Sequence, residues 1–286
     1  PKWNEMVNSY PPLGLAYLGA VLEEEGHEVA IFDLGLAPKR PLEESVDSIV
    51  AFAPDLVGFT AMTNNYRSVE EMLPLLERRL SCPVVLGGPH ATLFPKRLVA
   101  NPHIDYVVDG EGEETMRELA GILQEHGLRP PLERLRQVLG LCFEDDGRAI
   151  CNSPRSLIED LDALPFPARH LLDLSRYPLY TSGGEPMVTV LSSRGCPYRC
   201  SYCYKGILGR TYRQRSPDDV MAEIHHLMEA FDYRAFYFID DLFSFDDARL
   251  EVLTDRIVEE GLDIRWQCLA RVDTVDPDLL TKMYEA

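Results

Sequence analysis

Three cysteines lie within eight residues of each other in the second half of the chain. They are Cys196, Cys200 and Cys203, in the stretch RGCPYRCSYCYKG, and no fourth cysteine follows nearby. Thiolates are preferred ligands of zinc and of iron–sulfur clusters. A closed structural site normally has four protein ligands, whereas a site with three keeps one coordination position open. The triplet therefore predicts a metal centre whose last position is meant for a reacting molecule.

Other interpretations of the cysteines stay open at this point. A structural zinc ion, completed by a distant ligand such as Cys268 or His225, uses the same residue types, and a chance cluster needs no metal at all. The remaining cysteines, Cys82, Cys142, Cys151 and Cys268, are scattered singly in apolar surroundings. We expect these four to be small buried hydrophobic residues in a reducing compartment.

The composition is that of a globular protein, with 45% hydrophobic and 26% charged residues in a chain of 286. This length suffices for two domains. The formal net charge of −19 repels phosphate backbones and argues against broad nucleic-acid binding. No apolar run of membrane-spanning length and no signal-peptide pattern occur, so we expect no membrane span and a cytoplasmic location. The chain begins at Pro1 and stops at Ala286 within a helical pattern, which suggests a piece truncated at both ends.

Strand-like apolar runs alternate with helical patterns through the first part of the chain. The predicted strands are 28–34, 55–61, 83–88 and 104–110, and the predicted helices are 13–27, 42–53, 68–80 and 113–127. Near-continuous apolar strands between helices predict a parallel, doubly wound sheet with helices on both faces. A helix before the first strand suggests that a leading strand is missing. Ligands of such sheets bind beyond the carboxyl ends of the strands, where small or polar loops occur at 60–65, 87–92 and 109–115.

The second part of the chain follows a hairpin and a linker. Asp146-Gly147 between two apolar runs predicts a β-hairpin within 138–152, and a proline-rich stretch then predicts a linker. The predicted domains are 1–150 and 186–286, joined by 151–185. Three consecutive βα units follow, with strands at 186–197, 235–241 and 264–273 and helices at 217–231, 246–261 and 277–286. They predict the first half of a barrel, with the cysteines in the loop after its first strand, where catalytic groups of barrel enzymes collect.

The cysteine motif resembles that of the radical S-adenosylmethionine (SAM) superfamily. The spacing Cys-x-x-x-Cys-x-x-Cys, with the aromatic Tyr202 directly before the last cysteine, carries this resemblance. The stretches 9–35, 84–92, 105–115 and 160–172 are similar to the cobalamin-binding branch, so that the resemblance covers nearly the whole chain. It implies an α/β fold, in which a doubly wound Rossmann-like cobalamin-binding domain is followed by the first half of a partial TIM-like barrel.

The resemblance also implies cofactors and an activity. The three cysteines would hold a 4Fe-4S cluster whose fourth iron binds SAM, so the missing ligand would be the cofactor itself. Cleavage of SAM would give a 5′-deoxyadenosyl radical, and cobalamin would deliver a methyl group to an unactivated position of a small-molecule or natural-product substrate. An external electron donor of flavodoxin or ferredoxin type is the implied partner. Radical cyclisation or rearrangement is the alternative reaction. A non-catalytic iron–sulfur or corrinoid-binding protein is the alternative of another class, although a ferredoxin-like carrier would have four cysteines.

By the same resemblance, residues of the barrel contact SAM. Asp240 and Asp241, at the end of the second barrel strand, would contact its amino group or ribose, and capping of the following helix is the alternative for them. Arg271 would pair with the SAM carboxylate through a charge-assisted fork, with a solvated surface position as the alternative. Gln267 lies four residues earlier, and regular alternation would place it on the same face of the strand. Tyr202 completes the predicted SAM site.

The predicted cobalamin-binding residues occupy the strand-end loops of the first domain: Thr60, Gly87, Gly88, His90, Gly110, Glu111 and Gly112. Backbone amides of such loops can receive the amide and phosphate oxygens of a large cofactor. His90 is a candidate cobalt ligand because it lies in a strand-end loop, but it is followed by Ala-Thr-Leu. The Asp-x-His-x-x-Gly signature of histidine-ligated cobalamin domains is absent, so the lower axial position stays undetermined. Glu111 also lies in an acidic cluster at a helix N-terminus, which the helix dipole favours without any ligand.

Overall fold

The structure is a computed structural model that describes residues 10–37 and 40–286. Its strands are β1 Val57–Thr60, β2 Val84–Gly87, β3 Tyr106–Val108, β4 Leu141–Asp145, β5 Arg148–Cys151, β6 Met187–Val190, β7 Ser193–Arg194, β8 Arg213–Gln214, β9 Ala235–Phe238 and β10 Arg265–Cys268. Its α-helices are α1 Leu13–Glu24, α2 Leu42–Phe52, α3 Tyr66–Glu77, α4 Pro89–Leu93, α5 Pro95–Val99, α6 Glu113–His126, α7 Leu132–Leu135, α8 Pro217–Phe231, α9 Asp247–Glu259 and α10 Pro277–Glu285. Within these ranges, no helix has the length and apolar character needed to cross a bilayer.

A five-stranded sheet in the order β1-β2-β3-β4-β5 organises the first half of the chain. The first three strands are parallel, as predicted, and β4 and β5 add an antiparallel hairpin. Asp146 and Gly147 close this hairpin with φ values of 49° and 75°, the left-handed conformation that two-residue hairpin turns require. Alternate strand residues pack on opposite faces: Val85 lies in a core with α6, whereas Leu86 lies in a core with α3 and α5. Helices therefore cover both faces, as in a doubly wound sheet.

The predicted strand at 28–34 is wrong. The segment is irregular and ends in a 3-10 turn at Leu34–Leu36, and none of its residues is buried. A strand exists only where a neighbouring strand receives its backbone hydrogen bonds. Within the described part of the chain, no strand pairs with this segment, and the apolar pattern alone could not reveal that.

The expectation that Cys142 and Cys151 are separate buried residues is also wrong. They lie directly opposite each other on β4 and β5, and the structure joins them in a disulfide. The hairpin register sets this pairing, since a two-residue turn at Asp146 and Gly147 fixes which residues face each other. Cys82 and Cys268 are free cysteines, but both are half-buried rather than buried as expected.

A three-stranded parallel sheet in the order β10-β9-β6 organises the second half. Val188, Phe236 and Trp266 stand in register and face the core under α8 and α9. Helix α8 begins as predicted, because the Ser216 side chain accepts a hydrogen bond from the Asp219 N–H at the N-cap. The predicted strand 264–273 ends already at Cys268.

The proline-rich connection between the two sheets packs against the first helix. Leu161 and Leu164 lie in one buried cluster with Leu13, Tyr17 and Val21 of α1. This contact fixes the start of the first half against the segment that leads into β6. The boundaries at 150 and 186 stay a prediction.

Candidate functional site

The three predicted ligand cysteines lie in one loop, residues 195–212, which we call the cysteine loop. It begins directly after β7 and ends directly before β8, and these two short strands pair antiparallel with Arg194 opposite Arg213. Gly195 opens the loop at a φ of +83°, and a Cβ atom there would lie 2.3 Å from the carbonyl oxygen of Thr211. Only glycine fits this position. The loop is thus closed at its base, at the carboxyl end of β6.

The thiols in this loop differ in their exposure. Cys196 is buried, Cys200 is half-buried and Cys203 is exposed, and the Cys203 N–H donates to the Cys200 carbonyl at 3.1 Å. In the described ranges, no group of three or more His, Cys, Asp or Glu side chains is arranged as a set of metal ligands. The fit to an iron–sulfur cluster rests on the donor chemistry, which is three thiols on one short loop with cationic side chains beside them.

Arg271 is the first of these cations. Its guanidinium donates to the Cys200 Sγ atom at 3.3 Å and lies over the Tyr198 ring, 3.8 Å from the centroid. Its other N–H groups bind Asp273 at two positions, each 2.8 Å. The hydrogen bond with Asp273 raises the pKa of Arg271 and lowers the pKa of Asp273. The structure therefore places Arg271 beside the cysteines. The guanidinium N–H groups that were predicted to bind the SAM carboxylate are hydrogen-bonded to Asp273.

Lys205 is the second cation, and it connects the loop to Asp241. Its Nζ atom lies 3.1 Å from the Asp241 carboxylate. Burial lowers the pKa of Lys205, but the hydrogen bond and charge of Asp241, together with the contributions of Cys203 and Cys196, outweigh it and the pKa is raised overall. Asp241 keeps about a third of its side chain exposed, so it stays accessible to a ligand at this edge of the loop.

Asp240 is fully buried beneath the start of the loop. Its carboxylate accepts hydrogen bonds from the Ser192 N–H, the Ser192 hydroxyl and the Ser193 hydroxyl, at 2.7, 2.6 and 2.7 Å. Burial raises its pKa above the ordinary value. The capping interpretation is wrong for both aspartates, because the N-cap of α9 is Asp246, which accepts from the Arg249 N–H.

The predicted cobalamin residues after β1 and β2 lie side by side. Gly88 has a φ of +88°, and a Cβ atom there would lie 2.5 Å from the Thr60 hydroxyl, so only glycine permits this close approach. Gly87 is the last residue of β2. The two strand ends thus form one edge, as a doubly wound sheet requires of a ligand site.

His90 lies at the same edge, but in a packed position. Its Nδ1 atom is 3.1 Å from the Thr63 hydroxyl, and its ring is stacked on Tyr66 with 4.3 Å between centroids. Burial lowers its pKa, and nearby Arg97 lowers it further. These contacts account for the residue structurally, and its role as a cobalt ligand stays a prediction.

The loop after β3 joins this edge. The Gly110 N–H donates to the Thr92 hydroxyl at 3.0 Å, which ties the 109–115 loop to the 87–92 loop. Gly112 packs against Leu18, with a would-be Cβ distance of 3.3 Å. Glu111 points away into a buried cluster, where its carboxylate is bound by arginines of the second half.

No described contact brings the side chains of Tyr202 and Gln267 to the other predicted site residues. Tyr202 has 90% of its surface exposed. Gln267 is exposed on β10, in register with Tyr237 of β9. Arg271 lies beyond the end of that strand, so regular strand alternation does not relate it to Gln267.

Sequence reasoning missed a set of buried arginines around the base of the cysteine loop: Arg169, Arg194, Arg213, Arg215 and Arg249. Their partners are mainly buried carboxylates and backbone carbonyls. The available signal was local charge, since five arginines lie between positions 194 and 215 of a strongly acidic chain.

The chain is similar to known proteins over most of its length. Residues 4–120 match the B12 binding domain. The chain is 34% identical over 278 residues to an uncharacterized methyltransferase of Pyrococcus horikoshii. The alignment covers 96% of this chain and 58% of the relative. It is 31% identical over 276 residues to the anaerobic magnesium-protoporphyrin IX monomethyl ester cyclase of Synechocystis sp., covering 94% of this chain and 53% of the relative. Residues 4–120 thus belong to the B12-binding family, and the relatives match nearly the whole chain.

Solved structures support the fold of this family member. OxsB, a cobalamin-dependent SAM radical enzyme solved with aqua-cobalamin and SAM, superimposes with a TM-score of 0.77 at 21% identity, over 94% of this chain and 38% of OxsB. The radical SAM methyltransferase TsrM of Kitasatospora setae, solved with cobalamin and a 4Fe-4S cluster, gives 0.75 at 23% identity, over 96% of this chain and 54% of TsrM. The predicted fold is confirmed. The chain spans about half the length of the curated relatives it matches.

Proposed function

We propose that the protein is a cobalamin-dependent radical SAM enzyme that methylates an unactivated position of a small-molecule substrate. The observation that carries this proposal is the cysteine loop itself: three thiols, closed at their base by β7 and β8, beside a first domain of the B12-binding type. The methyltransferase among the relatives supports the reaction type.

Cys196, Cys200 and Cys203 would hold the cluster, and an open coordination position would remain for SAM. When bound, the cluster supplies the electron that cleaves SAM to a 5′-deoxyadenosyl radical, and cobalamin supplies a methyl carrier. The residues of the chain position and shield these groups. Arg271 donates a hydrogen bond to Cys200, and Lys205 fixes Asp241 at the loop edge. Asp241, Gln267 and Tyr202 are the accessible candidates for contact with SAM.

The first domain would bind cobalamin at the edge formed by the 60–65, 87–92 and 109–115 loops. Close backbone approach at Gly88 and the open space at Gly110, where a Cβ would meet nothing within 4 Å, suit a large planar ligand. We assign this domain to residues 1–150, the linker to 151–185 and the barrel part to 186–286. The small-molecule substrate, a flavodoxin- or ferredoxin-type electron donor, the lack of nucleic-acid binding and a cytoplasmic location belong to the same proposal.

A radical cyclase is the second candidate, because cyclases stand among the relatives at similar identity and coverage. The two reactions differ in the fate of the SAM methyl group. The full-length protein, reduced in the presence of cobalamin and methyl-labelled SAM, should place the label on cobalamin and release S-adenosylhomocysteine if it is a methyltransferase. Release of 5′-deoxyadenosine with no labelled cobalamin and no S-adenosylhomocysteine would favour the cyclase.

A further inference from the structure

One buried carboxylate holds both ends of the cysteine loop. Glu111 accepts a hydrogen bond from Arg194 at 3.1 Å, and Arg213 bonds both of its oxygens at 3.0 and 2.9 Å. Arg194 is the last residue before the loop and Arg213 the first after it, and the two are paired across β7 and β8. The Ile158 N–H, from the linker, also donates to Glu111 at 2.8 Å. Glu111 is therefore the common partner of all three segments.

The environment makes these contacts interdependent. The side chains of Glu111, Arg194 and Arg213 are each at most 5% exposed, and Arg194 also donates to buried Glu113 at 2.7 Å. Removing one partner from a buried charge group leaves an uncompensated charge, which is strongly unfavourable. The base of the cysteine loop and the loop around Glu111 are thus expected to order together.

The same loop carries the glycines predicted to approach cobalamin. Gly110 and Gly112 flank Glu111, and the Gly110 N–H is bonded to Thr92 in the neighbouring strand-end loop. One short segment thus faces the predicted cobalamin edge with its backbone and the base of the cysteine loop with its carboxylate.

We propose that Glu111 is a positioning residue that couples the two cofactor sites of this protein. Ordering of the cysteine loop by its cluster orders the 109–115 loop through Glu111, and cobalamin then binds a loop that is already in place. When one ligand has already ordered a site, the next ligand binds with a smaller loss of conformational entropy, which gives positive cooperativity. The coupling is reciprocal, so bound cobalamin should also favour cluster retention. This inference rests on the function proposed above.

The test compares cobalamin affinity before and after cluster assembly in the full-length protein. Hydroxocobalamin is titrated into the cluster-free and the reconstituted forms of the natural protein, of Glu111→Gln and of Glu114→Gln. Glu114 is the matched control, since it lies three residues further along, in the first turn of α6, and pairs with Arg117 rather than with the base of the cysteine loop. We expect the cluster to tighten cobalamin binding by about fivefold or more in the natural protein and in Glu114→Gln. In Glu111→Gln the ratio of the two affinities should fall to about one.

If Glu111 had a merely structural role, Glu111→Gln would weaken cobalamin binding equally in the cluster-free and the reconstituted protein. The ratio of the two affinities would then equal that of the natural protein, which would overturn the proposal. A ratio of one in the natural protein would overturn it as well, while leaving the proposed function intact. Failure of the natural protein to bind cobalamin or to assemble a cluster would overturn both. If Glu111→Gln does not fold, Glu113→Ala removes a single hydrogen-bond partner from Arg194, and its ratio should lie below that of the natural protein; an unchanged ratio there contradicts the coupling.

Discussion

The buried carboxylate of Asp240 accepts hydrogen bonds from both the backbone N–H and the hydroxyl of Ser192, at 2.7 and 2.6 Å. Ser192 lies three residues before the opening glycine of the cysteine loop, whereas Asp240 follows a different strand. The end of β9 thereby fixes the direction in which the chain leaves β6. The acidic pair predicted as a ligand contact thus divides into a buried residue that shapes the loop and an accessible neighbour, Asp241.

The Asp240→Asn substitution should both destabilise the fold and reduce binding of the cluster. The amide of asparagine would turn a donor toward groups that already donate, and a buried unsatisfied group costs about 1–3 kcal/mol. We expect a lower thermal midpoint and a reduced iron content after reconstitution. Asp247→Asn, on the exposed first turn of α9, should change neither quantity. Normal iron content and thermal midpoint in Asp240→Asn would contradict the role given to this carboxylate.

Single alanine substitutions of Cys196, Cys200 and Cys203 should each abolish the cluster and leave the first domain folded. The reason is that three thiolates leave no spare ligand in the loop. Cys268→Ala should keep its iron, because Cys268 packs in the second core and burial raises the pKa of its thiol to about 12. Iron and sulfide analysis, with circular dichroism for the fold, checks both expectations. A full cluster in all three loop variants would refute the assignment.

Glu223→Gln should destabilise the second half severely. Glu223 is completely buried on α8 and pairs with Arg169 at 2.6 Å and with Arg215. Loss of its charge removes the carboxylate that pairs with Arg169 and leaves Arg215 with Asp219, and breaking such a buried pair costs about 3–5 kcal/mol. Glu229→Gln, on an exposed position of the same helix, is the control. Its free energy of unfolding should equal that of the natural protein within experimental error. Chemical denaturation measures both, and equal stabilities would contradict the prediction.

The same carboxylate predicts a pH dependence. Burial raises the pKa of Glu223, but Arg169 and Arg215 outweigh it and hold the pKa below its ordinary value. A depressed folded-state pKa contributes stability that is fully present above the unfolded-state pKa, about 4.3 for glutamate, and is lost as the pH falls through the folded value. The stability difference between the natural protein and Glu223→Gln should therefore be constant near neutrality and shrink below about pH 4.3. A difference that grows on acidification would contradict the assigned pairing.

Arg271→Gln should lower the reduction potential of the assembled cluster. The substitution removes a positive charge and the N–H group that lies 3.3 Å from the Cys200 Sγ atom, and hydrogen bonds to cluster sulfurs help to set the potential. Arg265→Gln is the control, because Arg265 is exposed on β10 and pairs with Asp263. A redox titration followed by electron paramagnetic resonance gives both values. An unchanged or higher potential in Arg271→Gln would show that this contact does not persist around the cluster.

Local patterns predicted the parts of the fold that local forces decide. The Asp146-Gly147 turn and the start of α8 at Pro217 both follow from backbone preferences of a few residues. Pairings between distant segments could not be obtained in this way. The segment 28–34 has strand composition, but no strand of the described part of the chain pairs with it. The Cys142–Cys151 pairing is a local case, because it follows from the register of the predicted Asp146-Gly147 turn and was therefore accessible from the sequence.

The same distinction holds for the site. Cys196, Cys200 and Cys203 lie in one short stretch of the sequence, so that their spacing can be read directly. The structure keeps them in one loop. The bond between Glu111 and Arg213 joins residues 102 positions apart, and a single sequence shows only that each is charged. An acidic cluster at a helix N-terminus therefore suggested a ligand contact or a dipole effect, whereas tertiary packing gave Glu111 buried arginine partners.

Electron paramagnetic resonance of the full-length protein tests the central claim most directly. The protein is reconstituted with iron and sulfide without oxygen, reduced with dithionite, and measured with and without SAM. We predict a four-iron cluster signal that changes when SAM is added, because the fourth iron has no protein thiolate from the loop. A cluster signal indifferent to SAM, or stoichiometric zinc with no cluster, would contradict the account.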